Sequence, residues 1–286
     1  MRHEFSVRVG PYGFRIGSDW RAPIAELERL YVDYPKPRDG VADFTIRVEA
    51  ARPWRRHLRP SVAIAGDWRL PEAAPLPLAH ALLAAEMGMN LQLALGGRRH
   101  LLLHGSSVER DGRALLLTGE SGAGKSTLSV LLAAAGWRFM GDEFALIDLE
   151  TGEARAFPRP VSLKNEGVAA AEAAWPGARF GSWLRGTPKG DLRHMVPDAQ
   201  ALARMDEPAR PALLLFPRFG FASEARPVPR SEAFVRLTQA STNYTALGER
   251  GFAALTHLVK SVPAFAVDYP DGASGVAEVE RLWAQA

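Results

Sequence analysis

Hydrophobic and polar positions fall into two periods along the chain, and the change from one to the other outlines the elements. Between Val41 and Ala50 the residues Ala42, Phe44, Ile46 and Val48 stand against mostly polar neighbours, the two-residue period of a half-buried strand. Phe5–Val9 and Gly13–Ile16 read as a hairpin around Gly10-Pro11, followed by a helix at about Pro23–Tyr31 and, after the 41–50 segment, a strand at Ser61–Leu70. Leu76–Leu95 carries Leu78, Leu82, Leu83, Met87, Leu91 and Leu95 at helical spacing, which predicts a helix connecting two parts of the chain.

Past Gly96 the pattern turns to apolar strands separated by helical stretches. Leu101–Val108 and Ala114–Thr118 flank a hairpin turn at Asp111-Gly112. A glycine-rich loop then opens a helix that runs to about Ala135 and is stopped by Gly136 just past its end. Strands are expected at Trp137–Met140, Phe144–Leu149, Ala212–Phe216 and Ala264–Asp268, with a turn at Thr151-Gly152. Helices are expected at about Glu232–Gln239, Glu249–Lys260 and Gly275–Ala284. Gly186, Pro188, Gly190 and Pro197 predict a loop over Thr187–Pro197. Strands alternating with helices mean α/β, and the hairpins mean a mixed sheet. The expected organisation is a smaller N-terminal α/β unit with its connecting helix over residues 1–95, and a catalytic domain over residues 96–286.

Composition narrows the functional classes. Of 286 residues 47% are hydrophobic and 23% charged, enough for a sizeable core. The absence of cysteine excludes disulfides, thiolate zinc sites and cysteine nucleophiles. The opening stretch MRHEFSVRVGPYGF lacks the uninterrupted apolar segment of a signal peptide, and runs such as Ala212–Phe216 are too short to span a bilayer. A cytoplasmic protein without a membrane partner is therefore expected. A net charge of +3 with a pI near 9.4 suits an anionic nucleotide but is too weak to argue for nucleic acid. The basic run Arg52–Arg59, with Trp54 in it, reads as a solvated loop between strands, with docking of an acidic peptide or nucleic acid as the sharper alternative.

One motif carries chemistry. Gly119-Glu120-Ser121-Gly122-Ala123-Gly124-Lys125-Ser126, continued by Thr127, matches G-x-x-x-x-G-K-[ST] in full, a match expected by chance in about one per cent of chains this long. Glycines permit a tight loop, successive N–H groups form an anion-binding hollow, and the helix N-terminus adds positive charge. On this reading the loop binds ATP, Lys125 reaches the β- and γ-phosphates, and the Ser126 hydroxyl ligates Mg²⁺. Asp142 and Glu143 end a strand beside the loop, where one carboxylate can serve Mg²⁺ and the other accept a proton from an attacking hydroxyl. His104, ending Leu101–Leu103, is a weaker candidate to face the phosphates or the acceptor.

The stretch from His104 to Leu149 resembles HPr kinase/phosphorylase and its relatives, among them the peptide-serine kinases of lasso-peptide clusters and, more distantly, ATP-dependent phosphoenolpyruvate carboxykinases. The matching residues are His104-Gly105, the loop Gly119–Thr127, Gly136-Trp137-Arg138 and Asp142-Glu143 before a hydrophobic strand. The resemblance runs on through Phe157-Pro158-Arg159-Pro160-Val161-Ser162-Leu163-Lys164 and covers about half the chain. It implies a P-loop kinase core in which His104, the loop and a carboxylate pair build one active site. Asp142 is then the catalytic carboxylate, and Glu143, where the family has a second Asp, lies on the magnesium side. Arg159 and Lys164 are candidates to supply cations to the transferred phosphoryl group, and Lys189 and Arg193 to do the same or to grip a substrate.

The protein is expected to be an ATP- and Mg²⁺-dependent kinase that passes the γ-phosphoryl group to a hydroxyl, by resemblance a serine of a peptide or small protein. The Glu-Ile-Arg-Gly signature of true HPr kinases is missing, so HPr itself is not the expected acceptor. A small-molecule kinase and a non-catalytic ATP-binding regulatory partner stay open, as does a homo-oligomer.

Overall fold

Period-two segments at the N-terminus pair into a first sheet, with short turns setting its register. The computed structural model describes residues 2–69 and 73–286. β1 (His3–Val9) and β2 (Tyr12–Ser18) form the hairpin, α1 (Arg21–Leu30) crosses over, and β3 (Phe44–Ala50) joins β2 in parallel. β4 (Ser61–Gly66) and β5 (Leu76–Pro77) complete the order β1-β2-β3-β4-β5. Leu70, the expected end of the fourth strand, lies outside the described residues, and the strand itself stops at Gly66. β3 starts at Phe44 rather than Val41, whose side chain is exposed.

The helix expected from Leu76 starts later. Leu76-Pro77 pairs with β4, a single 3₁₀ turn covers Leu78–His80, and α2 runs from Ala81 to Gly96. Pro77 explains the shift, because it disfavours helical backbone at the residue before it. α2 lies across β3 and β4. At Gly88 an added Cβ would meet Ile46 Cγ2 at 2.6 Å, so only glycine lets helix and sheet approach this closely.

The second sheet holds the glycine-rich loop. β6 (His100–Arg110) and β7 (Arg113–Thr118) form the hairpin, turning at Asp111 and Gly112 with φ of 53° and 73°. α3 (Lys125–Ala134) follows, then β8 (Arg138–Gly141), β9 (Phe144–Asp148) and β10 (Ala154–Arg155). A separate three-stranded sheet is made by β11 (Val161–Lys164), β12 (Leu184–Thr187) and β13 (Gly190–Met195), with α4 (Glu166–Ala174) inserted after β11. The loop expected over Thr187–Pro197 is therefore only a tight turn at Pro188-Lys189, followed by a strand that pairs on both sides. α5 (Ala199–Ala203), β14 (Arg210–Phe219), β15 (Glu224–Pro227), α6 (Arg230–Ala240), α7 (Tyr244–Leu247), α8 (Glu249–Ser261), β16 (Ala264–Tyr269) and α9 (Gly272–Trp283) complete the chain.

The large sheet has the order β10-β9-β6-β7-β14-β16-β15, with β8 also pairing to β6. β7, β14 and β16 run parallel, whereas β6, β9, β10 and β15 pair antiparallel, which makes the fold mixed α/β. The parallel strands read as continuous apolar runs, Ala114–Leu117 among them, because both faces are covered. One buried cluster joins the first sheet and α2 to Leu102, Phe144, Phe157 and Leu192. Among the described residues no helix is long and apolar enough to cross a membrane.

Candidate active site

The three parallel strands end on one side, and the chain uses their carboxyl ends to build a crevice, the usual ligand position in open α/β sheets. The segment Gly119–Gly124 leaves β7 and enters α3, with positive φ at Gly119, Gly122 and Gly124 (146°, 87° and 91°). No side chain caps the start of α3, so its first N–H groups remain available at the positive end of the helix dipole. Lys125 folds back, donating from Nζ to the carbonyls of Gly119 and Glu120 at 2.7 and 2.8 Å. An ammonium has three protons, so one is left for an incoming anion. Burial lowers the Lys125 pKa, against the raising effect of Asp142 and Glu143.

Opposite the loop stands Asp142, at the turn between β8 and β9. It is 4% exposed. The hydroxyls of Ser106 and Ser126 both donate to its Oδ1, Ser126 at 3.0 Å, which leaves Oδ2 without a side-chain partner. Burial, then the charge of Glu143, pushes the Asp142 pKa upward, opposed by the two serine bonds. Glu143 holds φ at 68°, rare for a residue with a side chain, and its carbonyl accepts from Gly105 N at 3.2 Å. Its carboxylate lies 3.9 Å from His104 Nδ1 and 4.0 Å from Lys189 Nζ. Asn165, between β11 and α4, is a second strained position at the same cleft, with φ of 45°.

The cleft has a volume of about 930 Å³, a size that accommodates a nucleotide. Of the residues expected at the site, His104, Asp142, Glu143 and Lys164 line it together with Ser121, Gly122, Gly124, Lys125, Ser126 and Thr127. Gly119 and Glu120 contribute their carbonyls to Lys125, and the Glu120 side chain is exposed. Ala123 sits within the loop and donates its N–H to the Glu120 carbonyl at 3.3 Å. The oxygen donors at this end, one hydroxyl and two carboxylates, fit Mg²⁺, which takes one or two carboxylates and fills its remaining positions with water and phosphate oxygens. Among the described residues no group of three or more His, Cys, Asp or Glu is arranged to hold a metal alone.

Arg159 requires correction. Its guanidinium turns away from the cleft and pairs with Glu86 and Asn90 of α2, donating also to the Glu86 carbonyl at 3.1 Å. It is 4% exposed. Desolvation would lower its pKa, but the Glu86 carboxylate prevails and raises it, so the arginine is a permanent buried cation committed to α2. Arg193 is likewise spent, on the Gly181 carbonyl and Glu172 at 2.8 Å each. Arg138, part of the resemblance, forms a buried pair with Glu109.

Three lining or supporting residues escape the sequence reading. Ser106 lies within the strand Leu101–Val108, where a buried serine beside a carboxylate has no signature in one sequence. Phe219 and Tyr269 end β14 and β16 at the cleft. Their signal was position, the carboxyl ends of strands parallel to β7, which depends on a strand order that the sequence does not display.

No protein-family model matches the chain, and no curated protein matches it. Among solved structures it is similar to the Hpr(Ser) kinase/phosphatase from Coxiella burnetii, at 12% identity and a TM-score of 0.28, over 65% of this chain and 99% of that one. The similarity is a distant one. At that TM-score it decides neither fold nor reaction, which are read from the chain's own geometry.

Proposed function

We propose that the chain is an ATP-dependent phosphotransferase that passes the γ-phosphoryl group to a hydroxyl acceptor, a serine of a peptide or small protein other than HPr. The observation that carries this reading is the meeting of Asp142 and Ser126 at 3.0 Å, which joins a buried carboxylate to the glycine-rich loop. The amides of Gly119–Gly124 and the free proton of Lys125 bind the phosphates. Ser126, Asp142 and Glu143 would hold Mg²⁺, which when bound would neutralise phosphate charge.

Asp142 Oδ2 takes the acceptor's proton as the new O–P bond forms, while the bond from the γ-phosphorus to the bridging oxygen breaks and its electron pair leaves with ADP. A carboxyl with a raised pKa is the better proton acceptor. Lys164 and Lys189 line the cleft and supply positive charge to the transferred oxygens. His104, beside Glu143, borders the acceptor side.

The test compares two variants. Asp142→Asn should lower transfer at least about a hundredfold while nucleotide affinity stays within a few-fold. Lys125→Ala should lose both transfer and nucleotide binding. An Asp142→Asn protein that keeps its rate removes the assigned base.

A further inference from the structure

A second hollow lies apart from the cleft at the glycine-rich loop. It is a groove of about 1180 Å³ between the first sheet and the start of β12. Its floor is apolar, formed by Pro23, Leu76, Leu78, Leu82 and Leu184. Its rim carries Arg52, Arg55 and Arg59 from the basic run. Two tryptophans stand beside them, Trp54 and Trp183, still 49% and 38% exposed. Each has a guanidinium over its ring, Arg55 at 4.5 Å and Arg185 at 4.4 Å.

Among the described residues no carboxylate pairs with Arg52, Arg55 or Arg59. The acidic residue in the lining, Glu26, is already taken by Arg29 and by the Ser182 hydroxyl. Arg55 donates to the Arg59 carbonyl at 3.0 Å and stacks on Trp54. With no carboxylate among the described residues on any of the three, their positive charge over an apolar floor defines a complement. That complement is negative at the rim and apolar at the centre.

β12 connects the groove to the cleft. Trp183 and Leu184 line the groove, and Pro188 and Lys189, just past the other end of the strand, line the cleft. The four residues of β12 span roughly 13 Å at ~3.3 Å each.

We infer that the groove docks an acidic, leucine- or aromatic-containing segment of the acceptor peptide, whose phosphorylated serine lies roughly four to six residues away along β12. The identification of the peptide as the acceptor rests on the phosphotransfer reading of the cleft; the docking itself does not. Carboxylates of the segment pair with Arg52, Arg55 and Arg59, and its apolar side chains enter between Trp54 and Trp183.

The probe is a fluorescein-labelled peptide containing Glu-Leu-Glu-Leu-Glu and a serine five residues away, with a lysine-for-glutamate analogue as control. Anisotropy on the full chain should show binding that weakens with salt, at least tenfold tighter than for the analogue. The triple variant R52E/R55E/R59E should lose that preference. Trp54→Ala should weaken binding about tenfold, and both variants should bind nucleotide as the wild type does. Equal binding of the two peptides, or a triple variant that binds the acidic one normally, overturns the proposal. So does an oligonucleotide that competes at the same arginines with higher affinity. If docking holds but ATP is never transferred, the phosphotransfer reading falls and the groove stands. If transfer occurs at a rate that the triple variant leaves unchanged, the groove falls alone.

Discussion

Tyr269 holds its hydroxyl against the backbone of Gly124, 2.4 Å from where a Cβ would stand. The residue is 2% exposed and its hydroxyl has no partner. Burial raises its pKa, so the group remains a proton donor facing the loop. An orphaned buried donor is costly in the free protein and valuable to a ligand that accepts from it. Tyr269→Phe should therefore leave Tm unchanged or raise it, while weakening nucleotide binding roughly tenfold or more, the worth of a hydrogen bond to a charged group. Calorimetric titration beside a melting curve separates the two effects, and equal affinity in the variant denies the hydroxyl a ligand.

Gly124 itself should tolerate nothing larger. With φ at 91° and two aromatic side chains in the way, a Cβ costs about 1–2 kcal/mol in backbone energy before any clash. Gly124→Ala should keep the fold, since the loop is at the surface of the cleft, and lose nucleotide binding. A titration with the nucleotide triphosphate checks this, and a variant that binds normally shows that the loop has room it does not display.

Arg159 was expected at the phosphoryl group, and its actual partner gives a different experiment. Removing one member of a buried pair strands the other, at a cost of about 3–5 kcal/mol. Arg159→Met should destabilise the protein by that amount in urea unfolding, with the rate per folded molecule unchanged. Arg159→Met with Glu86→Leu should recover most of the loss. A variant that folds normally and transfers slowly would return Arg159 to the reaction.

These cases separate what one sequence displays from what it conceals. The Asp111-Gly112 hairpin and the glycine-rich loop are legible because each depends on a backbone conformation that few residue types adopt, so the residue names the geometry. The mixed sheet is legible for the same reason, through its turns. α4 is concealed because its alanine-rich stretch buries little more than Val168 and Ala171 and has no strong period. The direction of Arg159 is concealed because Glu86, 73 residues earlier, decides it. Tyr269 falls one residue past the expected strand end at Asp268, and only the strand order gives that position its meaning. Local backbone chemistry is written in the sequence; long-range pairing is not.

Lys164 and Lys189 stand at the cleft without the buried anchorage of Arg159. If they serve the transferred oxygens, Lys164→Met and Lys189→Met should each lower kcat roughly tenfold and leave the KM for ATP nearly unchanged, since that charge develops in the transition state. Steady-state kinetics at saturating acceptor reads this. A rise in KM alone would make them ground-state binders.

Acid should loosen the junction between the two sheets through His100. Its Nδ1 meets the Tyr12 hydroxyl at 2.8 Å, a buried bond joining β2 to β6. Burial, with Arg99 adding to it and Asp148 opposing, lowers the His100 pKa from 6.5 to about 4. Between these values the unfolded chain takes up a proton that the native protein refuses, so stability is complete above pH 6.5 and declines as the pH falls towards 4. The full difference of about 2.5 units is worth about 3 kcal/mol. Replacing both partners, Tyr12→Phe with His100→Phe, removes the titrating group and leaves no orphaned one. Urea unfolding at pH 7.5 and 4.5 should show the wild type losing about 2.5 kcal/mol more than the double variant over that interval. Parallel losses in the two proteins would assign the acid sensitivity to other groups.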